Sequence, residues 1–323
     1  MKYTVLLLLL IAGIPHVNSQ SMILPADQPT RKNSEVFQLD RSAAALGISP
    51  EVIAKTATLK NPPVNIAVFG VDRRNKVAYG NADMIMILSV DQLTKKLKLS
   101  SIMRDTYVNI SGQGMNKINS AYATGGPQLA IKTLNENFNM DIKDYVSIDF
   151  FGSARVIDAL GGVTLNVKAE EVPHLNNYLN EIAAIEMTES VKIPGAGVQK
   201  LDGKQTVAYT RIRAVGNNDY ERTERQRVVM SLLSEKIRRS DPSSFSSLAF
   251  EILPHLETSM SKMTLFSLGA GILDSKNTTI QQARFPTDTN RKGIVKDGIW
   301  YLSTDLKKTS NSLHQFIYQN IQP

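Results

Sequence analysis

The stretch Val64-Asn65-Ile66-Ala67-Val68-Phe69-Gly70-Val71-Asp72, with Ala82-Asp83-Met84-Ile85-Met86-Ile87-Leu88 shortly after it, decides how this chain reads. Val64 to Phe69 is a run of β-favouring residues stopped by Gly70, and Met84 to Val90 is a second apolar run. Both are apolar on both faces, as expected of central strands covered by helices on each side. Leu97 to Ile102 alternates and reads as a third strand. Polar groups stand at the ends of all three: Asp72 closes the first, Asp83 opens the second and Arg104 follows the third.

Outward from these strands, helical signals cover Lys117 to Ala123 and Pro127 to Phe138, with Pro127 suited to a first turn. Strands over Tyr145–Asp149 and Val163–Val167 flank a helix from about Gly152 to Leu160. Asp219 opens a long basic helix to about Arg239, ended by Asp241-Pro242. Helices over 243–255 and 264–273, a strand over 280–285 and a helix from about Asp305 to Ile321 complete the chain. Strands alternating with helices predict an α/β fold, a three-layer α-β-α sandwich around a central mixed β-sheet.

Composition narrows the chemistry. The 323 residues carry a net charge of +7, are 42% hydrophobic and 21% charged, and so can build a large core. There is no Cys, which removes disulfides, thiol nucleophiles and Cys-ligated metals. The four His (His16, His174, His255, His314) are scattered and form no HExxH or His-pair metal site. No P-loop, G-x-S-x-G or dinucleotide glycine fingerprint is present.

Residues 1–19 read as an export signal. Val5 to Ile14 is an almost unbroken apolar run, nearer the 7–15 residues of a signal-peptide core than the roughly 20 of a spanning helix. Val17-Asn18-Ser19 offers small residues for cleavage before Gln20. The alternative is a short membrane anchor. Residues 20–62 read as a spacer with one or two short helices, ending at Asn61-Pro62-Pro63, and 63–323 as the folded α/β domain, with its motifs over 64–240 and C-terminal helices and strand over 241–323. Export would place the protein at the outer face of the cytoplasmic membrane or in the cell wall, away from nucleic acid.

Ligands of α/β sheets gather outside strand ends, so Asp72 and Asp83 could share one hard divalent cation. An Asx-turn at each strand end is the plainer reading, and spacing alone favours it. Arginine tips the balance. Besides Arg104, Arg211 and Arg213 lie two apart, on one face if extended, and Arg222 and Arg225 lie three apart, on one face of a helix. Arginine offers bidentate hydrogen bonding to phosphate, and an isolated cluster of it would repel itself. Surface pairing with Asp105, Asp219, Glu221 and Glu224 is the competing account, and for Arg222 and Arg225 taken alone it prevails. With the two aspartates, the set suits Mg²⁺-assisted phosphoryl transfer.

These residues stand within motifs that resemble the LytR-CpsA-Psr family: Asn65 to Asp72, Ala82 to Met86, Ser101-Ile102-Met103-Arg104-Asp105-Thr106-Tyr107-Val108, Lys117-Ile118-Asn119-Ser120-Ala121-Tyr122, Gly161-Gly162-Val163, Leu201-Asp202-Gly203, and Tyr209 to Arg213 through Asp219 to Gln226. Arg284-Phe285-Pro286 and Leu313 to Tyr318 resemble its LytR-type branch. The resemblance implies an extracytoplasmic phosphotransferase that moves a glycopolymer, of teichoic acid or capsule type, from an undecaprenyl-pyrophosphate carrier to a peptidoglycan acceptor. It implies Mg²⁺, with Mn²⁺ as an alternative, on Asp72 and Asp83, and pyrophosphate on Arg104, Arg211, Arg213, Arg222 and Arg225. Lys117, Asn119 and Gln226, inside the matched motifs, join the expected substrate-binding set. Gly80-Asn81-Ala82 stands where the family often has an arginine before the second aspartate, so that phosphate contact is either missing or supplied by Arg73 or Arg74. Met103 replaces the usual proline before Arg104-Asp105. Asp105 is a candidate base for the acceptor hydroxyl or else a partner that orients Arg104.

Met84, Ile85, Ile87, Phe138, Val146, Val156, Leu160, Val229 and Leu232 are candidates for an apolar lipid cleft or for plain core. Two other functions stay open: a polyprenyl-pyrophosphate pyrophosphatase with water as acceptor, and a non-enzymatic envelope-binding or regulatory protein. The second leaves the strand-end aspartates and the arginines unexplained.

Overall fold

The computed structural model describes residues 38–73, 79–91, 93, 96–212, 214–215, 225, 228–229, 231–233, 235–236, 251–261, 263–265 and 280–323. Their centre is a six-stranded sheet in the order β10-β3-β2-β1-β6-β9. It is formed by β1 (Val64–Asp72), β2 (Asn81–Val90), β3 (Leu97–Ile102), β6 (Asp144–Asp149), β9 (Glu257–Thr258) and β10 (Ile280–Phe285). β1 runs antiparallel to β2 and parallel to β6; β2 is antiparallel to β3, which is parallel to β10. The sheet is therefore mixed, as the apolar runs required, with β1 and β2 buried at its middle.

Alternate residues of those strands feed two cores. Ala67, Phe69, Ile85 and Ile87 face helix α2 (Ser120–Phe138) and the C-terminal helix α6 (Leu306–Gln319), against Tyr122, Leu134, Phe138 and Phe316. Ile66, Val68, Leu88 and Leu99 face the other way, with Leu253, Met260 and Leu265. Fully burying each such side chain is worth about 1.5–3 kcal/mol, so a one-residue register slip would exchange both cores at once.

The segment expected as a spacer is packed where it is described. Helix α1 (Pro50–Ala57) is capped by Ser49, whose hydroxyl accepts from Val52 N at 3.3 Å, and Leu46 is fully buried in the first core. Asn135 of α2 donates to the Leu46 carbonyl at 2.8 Å.

Several elements depart from the expectations. Lys117 ends a strand, because β4 (Tyr107–Ile110) and β5 (Gly114–Lys117) form a hairpin, and the helix begins only at Ser120. The two expected helical pieces form one element broken at Gly125 and Gly126. Gly126 sits at φ +61, and a Cβ there would fall 2.8 Å from the Tyr79 ring. Val163–Val167 (β7) lies outside the main sheet, paired instead with β8 (Gly197–Leu201). Helix α3 (Phe150–Ala159) falls close to its expected range, capped by Asp149. Helices α4 (Val172–Glu186) and α5 (Gly203–Thr210) have no counterpart in the expectations; α5 opens on a capping box between Asp202 and Gln205. Arg211 is accordingly the C-cap of a helix, with αR backbone. A hairpin of β11 (Lys292–Lys296) and β12 (Ile299–Ser303) also escaped the sequence reading. Of the expected helix from Asp219, the described residues from Arg225 to Lys236 are helical. Among the described residues no helix is long and apolar enough to cross a membrane.

Candidate active site

The site begins with an irregularity between the two central strands. Gly70 pairs with Met84 and Val71 with Ala82, so Asp83 is the extra residue of a β-bulge, while Asp72 pairs with Asn81. Such bulges re-aim one side chain at a strand end. Gly80 lies so close to this end of β1 that a Cβ on it would fall 1.7 Å from the Asp72 carbonyl oxygen.

Asp83 is 4% exposed. Its Oδ2 is 3.1 Å from Arg104 Nη1, and its Oδ1 accepts from Asn119 Nδ2 at 3.3 Å. A buried carboxylate needs such partners. The loop after β3 that places Arg104 is tied on both sides: Met103 N donates to Phe285 O at 2.8 Å, and Asn119 N to Arg104 O at 3.2 Å. Ala82 N donates to Asn119 O at 3.2 Å, which joins this loop to the bulge. Asp105 completes the cluster, with Oδ2 3.4 Å from Arg104 Nε and Oδ1 2.7 Å from Lys117 Nζ. Both of its oxygens are held by cations, the geometry of a group that orients Arg104.

The other arginines have different surroundings. Arg211 is 6% exposed, with its guanidinium 4.6 Å from the Tyr178 ring centroid and 5.3 Å from that of Phe150, and its Nη2 donates to Glu181 Oε2 at 2.9 Å. Arg225 is 4% exposed and pairs through Nε with the buried Glu171 at 2.7 Å. Its Nη1 donates to Ile212 O at 3.0 Å and its Nη2 to Val215 O at 3.4 Å, so it anchors the loop after α5. Next to that pair, burial first and then the Glu171 charge push the Tyr209 hydroxyl up to about 12. Arg73 turns from the strand end towards β9, where Glu257 Oε2 accepts from both of its terminal nitrogens at 3.2 Å. Burial opposes the Arg73 charge, but Glu257, Tyr122 and Asp149 outweigh it and raise the pKa. Arg74, Arg213, Arg222 and Gln226 lie outside the described residues.

A cavity of about 450 Å³ lies beside Arg73, with Val71, Ile148, Leu253 and Leu256 among its walls and Asp149, His255 and Glu257 on its polar side. None of the apolar residues expected to line a cleft borders it. Ile85, Ile87 and Phe138 belong to the first core, Val146 to the second, and Val156, Leu160 and Val229 to a third core around α3–α5; Leu232 packs against that third core and Met84 against the second. Glu171, Glu181, Tyr178 and Glu257 escaped the sequence reading, because each meets its arginine across a long stretch of chain and carries no motif of its own.

Asp72 and Asp83 offer hard oxygen, and among the described residues no cluster of three or more His, Asp or Glu side chains forms a fuller cage. That donor set fits a cation that takes one or two carboxylates and fills its remaining positions with substrate phosphates and water, as Mg²⁺ does.

The LytR_cpsA_psr family model matches residues 25–316. The chain is 32% identical over 252 residues to the polyisoprenyl-teichoic acid–peptidoglycan teichoic acid transferase TagU of Oceanobacillus iheyensis, covering 74% of this chain and 70% of that protein. It is 34% identical over 176 residues to the regulatory protein MsrR of Staphylococcus aureus (strain COL), and in that comparison spans about half, 49%, of the relative's length. Among solved structures, TagT bound to LI-WTA superposes with a TM-score of 0.56 at 23% identity, over 80% of this chain and 91% of that one. TagT with bound octaprenyl pyrophosphate lipid gives 0.53 at 21% identity, over the same shares, 80% and 91%. Both likenesses support the fold.

Proposed function

The chain belongs to the LytR-CpsA-Psr family, and from that membership and its strand-end site we propose that it is a phosphotransferase that moves a glycopolymer from a polyprenyl-pyrophosphate carrier to peptidoglycan. The observation that carries the reading is Arg104, held between Asp83 and Asp105 at the bulge beside Asp72. An arginine locked in place next to two strand-end carboxylates suits a doubly charged phosphate group with its counter-ion. The relative TagU is named for such a transfer.

Asp72 and Asp83 would hold Mg²⁺, with Mn²⁺ as the alternative ion. When bound, the ion neutralises charge on the pyrophosphate oxygens. Arg104 donates its N–H groups to the same oxygens, and Asn119 and Lys117 keep Asp83 and Asp105 in position to fix it. An acceptor sugar hydroxyl attacks the glycan-side phosphorus; the new P–O bond forms as the bond to the bridging oxygen breaks. The carrier leaves as polyprenyl monophosphate, and the hydroxyl proton passes to solvent. Catalysis is then mainly positional and electrostatic. The cavity beside Arg73 would accept the first carbons of the carrier. Arg211 would reach the phosphates from the helical side, braced by Tyr178 and Phe150. The work is done at the outer face of the membrane, after export directed by residues 1–19.

The test is to incubate the protein with a lipid-pyrophosphate glycan and peptidoglycan fragments, with and without a chelator. Glycan joined to peptidoglycan, polyprenyl monophosphate released and both lost with the chelator are expected. Release of glycan phosphate at the same rate without acceptor would make the enzyme a pyrophosphatase instead.

A further inference from the structure

The β11–β12 hairpin carries an apolar surface that the transfer reaction does not use. Trp300 is the only tryptophan of the chain and is 46% exposed. Its cross-strand partner Val295 is 70% exposed, and Ile299, beside the turn, is 50% exposed. The indole lies over Gly293, where a Cβ would fall 2.9 Å from its Nε1, so the ring rests on the ribbon. Val295 and Trp300 share one face of the ribbon and Ile299 lies on the other, so the turn end is apolar on both sides. Burying such side chains in a core is the usual outcome, and three of them exposed at one hairpin end mark a contact surface.

Charge selects the partner. Lys292 and Lys296 are exposed on the same hairpin, and Lys307 and Lys308 are exposed just beyond it. Asp297, directly after Lys296 in the turn, is the acidic residue of the hairpin. Lys296 Nζ donates to the Tyr107 hydroxyl at 3.1 Å, and Lys292 stands at the base of the ribbon opposite Ser303. A tryptophan with aliphatic neighbours on a lysine-bearing hairpin matches the boundary between headgroups and acyl chains of a bilayer with anionic lipid. The hairpin is also fixed to the site. Leu302 N donates to Asp105 O at 2.9 Å, the Tyr301 and Tyr107 rings lie 4.7 Å apart, and Lys117 Nζ lies 5.8 Å from the Tyr301 ring centroid. Whatever the tip touches is therefore brought to the loop that carries Arg104.

We propose that the tip formed by Val295, Ile299 and Trp300 inserts into the surface of an anionic membrane and sets the site against it. The proposal rests on the hairpin alone and stands whether or not the chain is a transferase.

Because Trp300 is the sole tryptophan, its fluorescence reports this tip and nothing else in the full-length protein. With phosphatidylcholine vesicles containing phosphatidylglycerol, the emission is expected to shift to the blue and to be quenched by lipids brominated on the acyl chain. With phosphatidylcholine alone, both changes should be much smaller. The double variant Val295→Ser/Ile299→Ser keeps the probe and should weaken vesicle binding read at Trp300 by about tenfold or more, given the apolar area removed. Lys292→Glu should weaken it on anionic vesicles only, with circular dichroism unchanged in both variants. Vesicle co-sedimentation without any change at Trp300 would overturn the proposal. So would the same spectral change on peptidoglycan fragments without lipid, or on raising the protein concentration alone, since these assign the tip to glycan or to a second copy.

Discussion

Two arginine clusters of this molecule look alike in sequence and differ in kind. At the strand ends, Arg104 shares the carboxylates of Asp83 and Asp105 with Asn119 and Lys117, beside Asp72. On the helical side, Arg225 meets Glu171, which is 2% exposed, and two backbone carbonyls. The first cluster gathers more acid and base than the backbone needs. In the second, one ion pair and a loop answer each other. Charge density alone therefore does not identify a site; what an arginine's partners do for the fold separates chemistry from architecture.

Variants can break that contrast, and the largest effect belongs to Arg104. Arginines that stabilise a transferring phosphoryl group are worth about 10³–10⁵ in rate, so Arg104→Ala should lose transfer on that scale, and lysine, lacking the bidentate fork, should restore little of it. Steady-state transfer rates check this, and equal rates for Ala and Lys variants would reduce Arg104 to general electrostatics. Next comes Glu171→Ala. Removing one partner of a buried pair typically costs about 3–5 kcal/mol, which denaturant unfolding would read, with little change in transfer per folded molecule.

Arg211 should fall between the two kinds. Arg211→Lys keeps the charge but loses the planar contact with Tyr178 and Phe150, so about 0.5–2 kcal/mol of stability should go. A matching loss of transfer beyond that expected from unfolding would place Arg211 with Arg104.

The smallest effect sharpens the contrast from outside both clusters. His314 on α6 lies among Lys55, Asp141, Tyr318 and the Phe138 carbonyl, and burial lowers its pKa below the ordinary 6.5. The unfolded chain then binds the proton more readily, so the stability His314 contributes is full above about 6.5 and falls as pH drops through the lowered folded value. His314→Gln should flatten that part of the stability profile in thermal melts between neutral and mildly acid pH, without touching transfer. An unchanged slope would remove His314 from the account.

Much of the frame was legible because β1 and β2 are apolar on both faces and can only be central. The strand-end positions of Asp72, Asp83 and Arg104 followed from those runs. The bulge at Asp83 did not, since a single extra residue leaves no mark in a hydrophobic pattern. Helix α4 was passed over although its buried Leu175, Leu179, Ile182 and Ala183 keep helical spacing, because asparagines surround them. The two-residue spacing of Arg211 and Arg213 places them on one face only if extended, and it gives no sign of the helix that Asp202 and Gln205 cap in front of Arg211. The partner of Arg225 was illegible for a simpler reason: Glu171 is brought to it by packing of the third core, and no local rule links residues that far apart.

The contrast between the clusters is tested most directly by measuring transfer and thermal unfolding side by side for Asp72→Asn and Arg225→Met. Asp72→Asn should unfold close to the parent temperature and transfer nothing, whereas Arg225→Met should unfold at a markedly lower temperature and still transfer while folded. If Asp72→Asn transfers normally, or if well-folded Arg225→Met does not transfer, the assignment of chemistry to the strand ends and architecture to the Arg225–Glu171 pair is wrong.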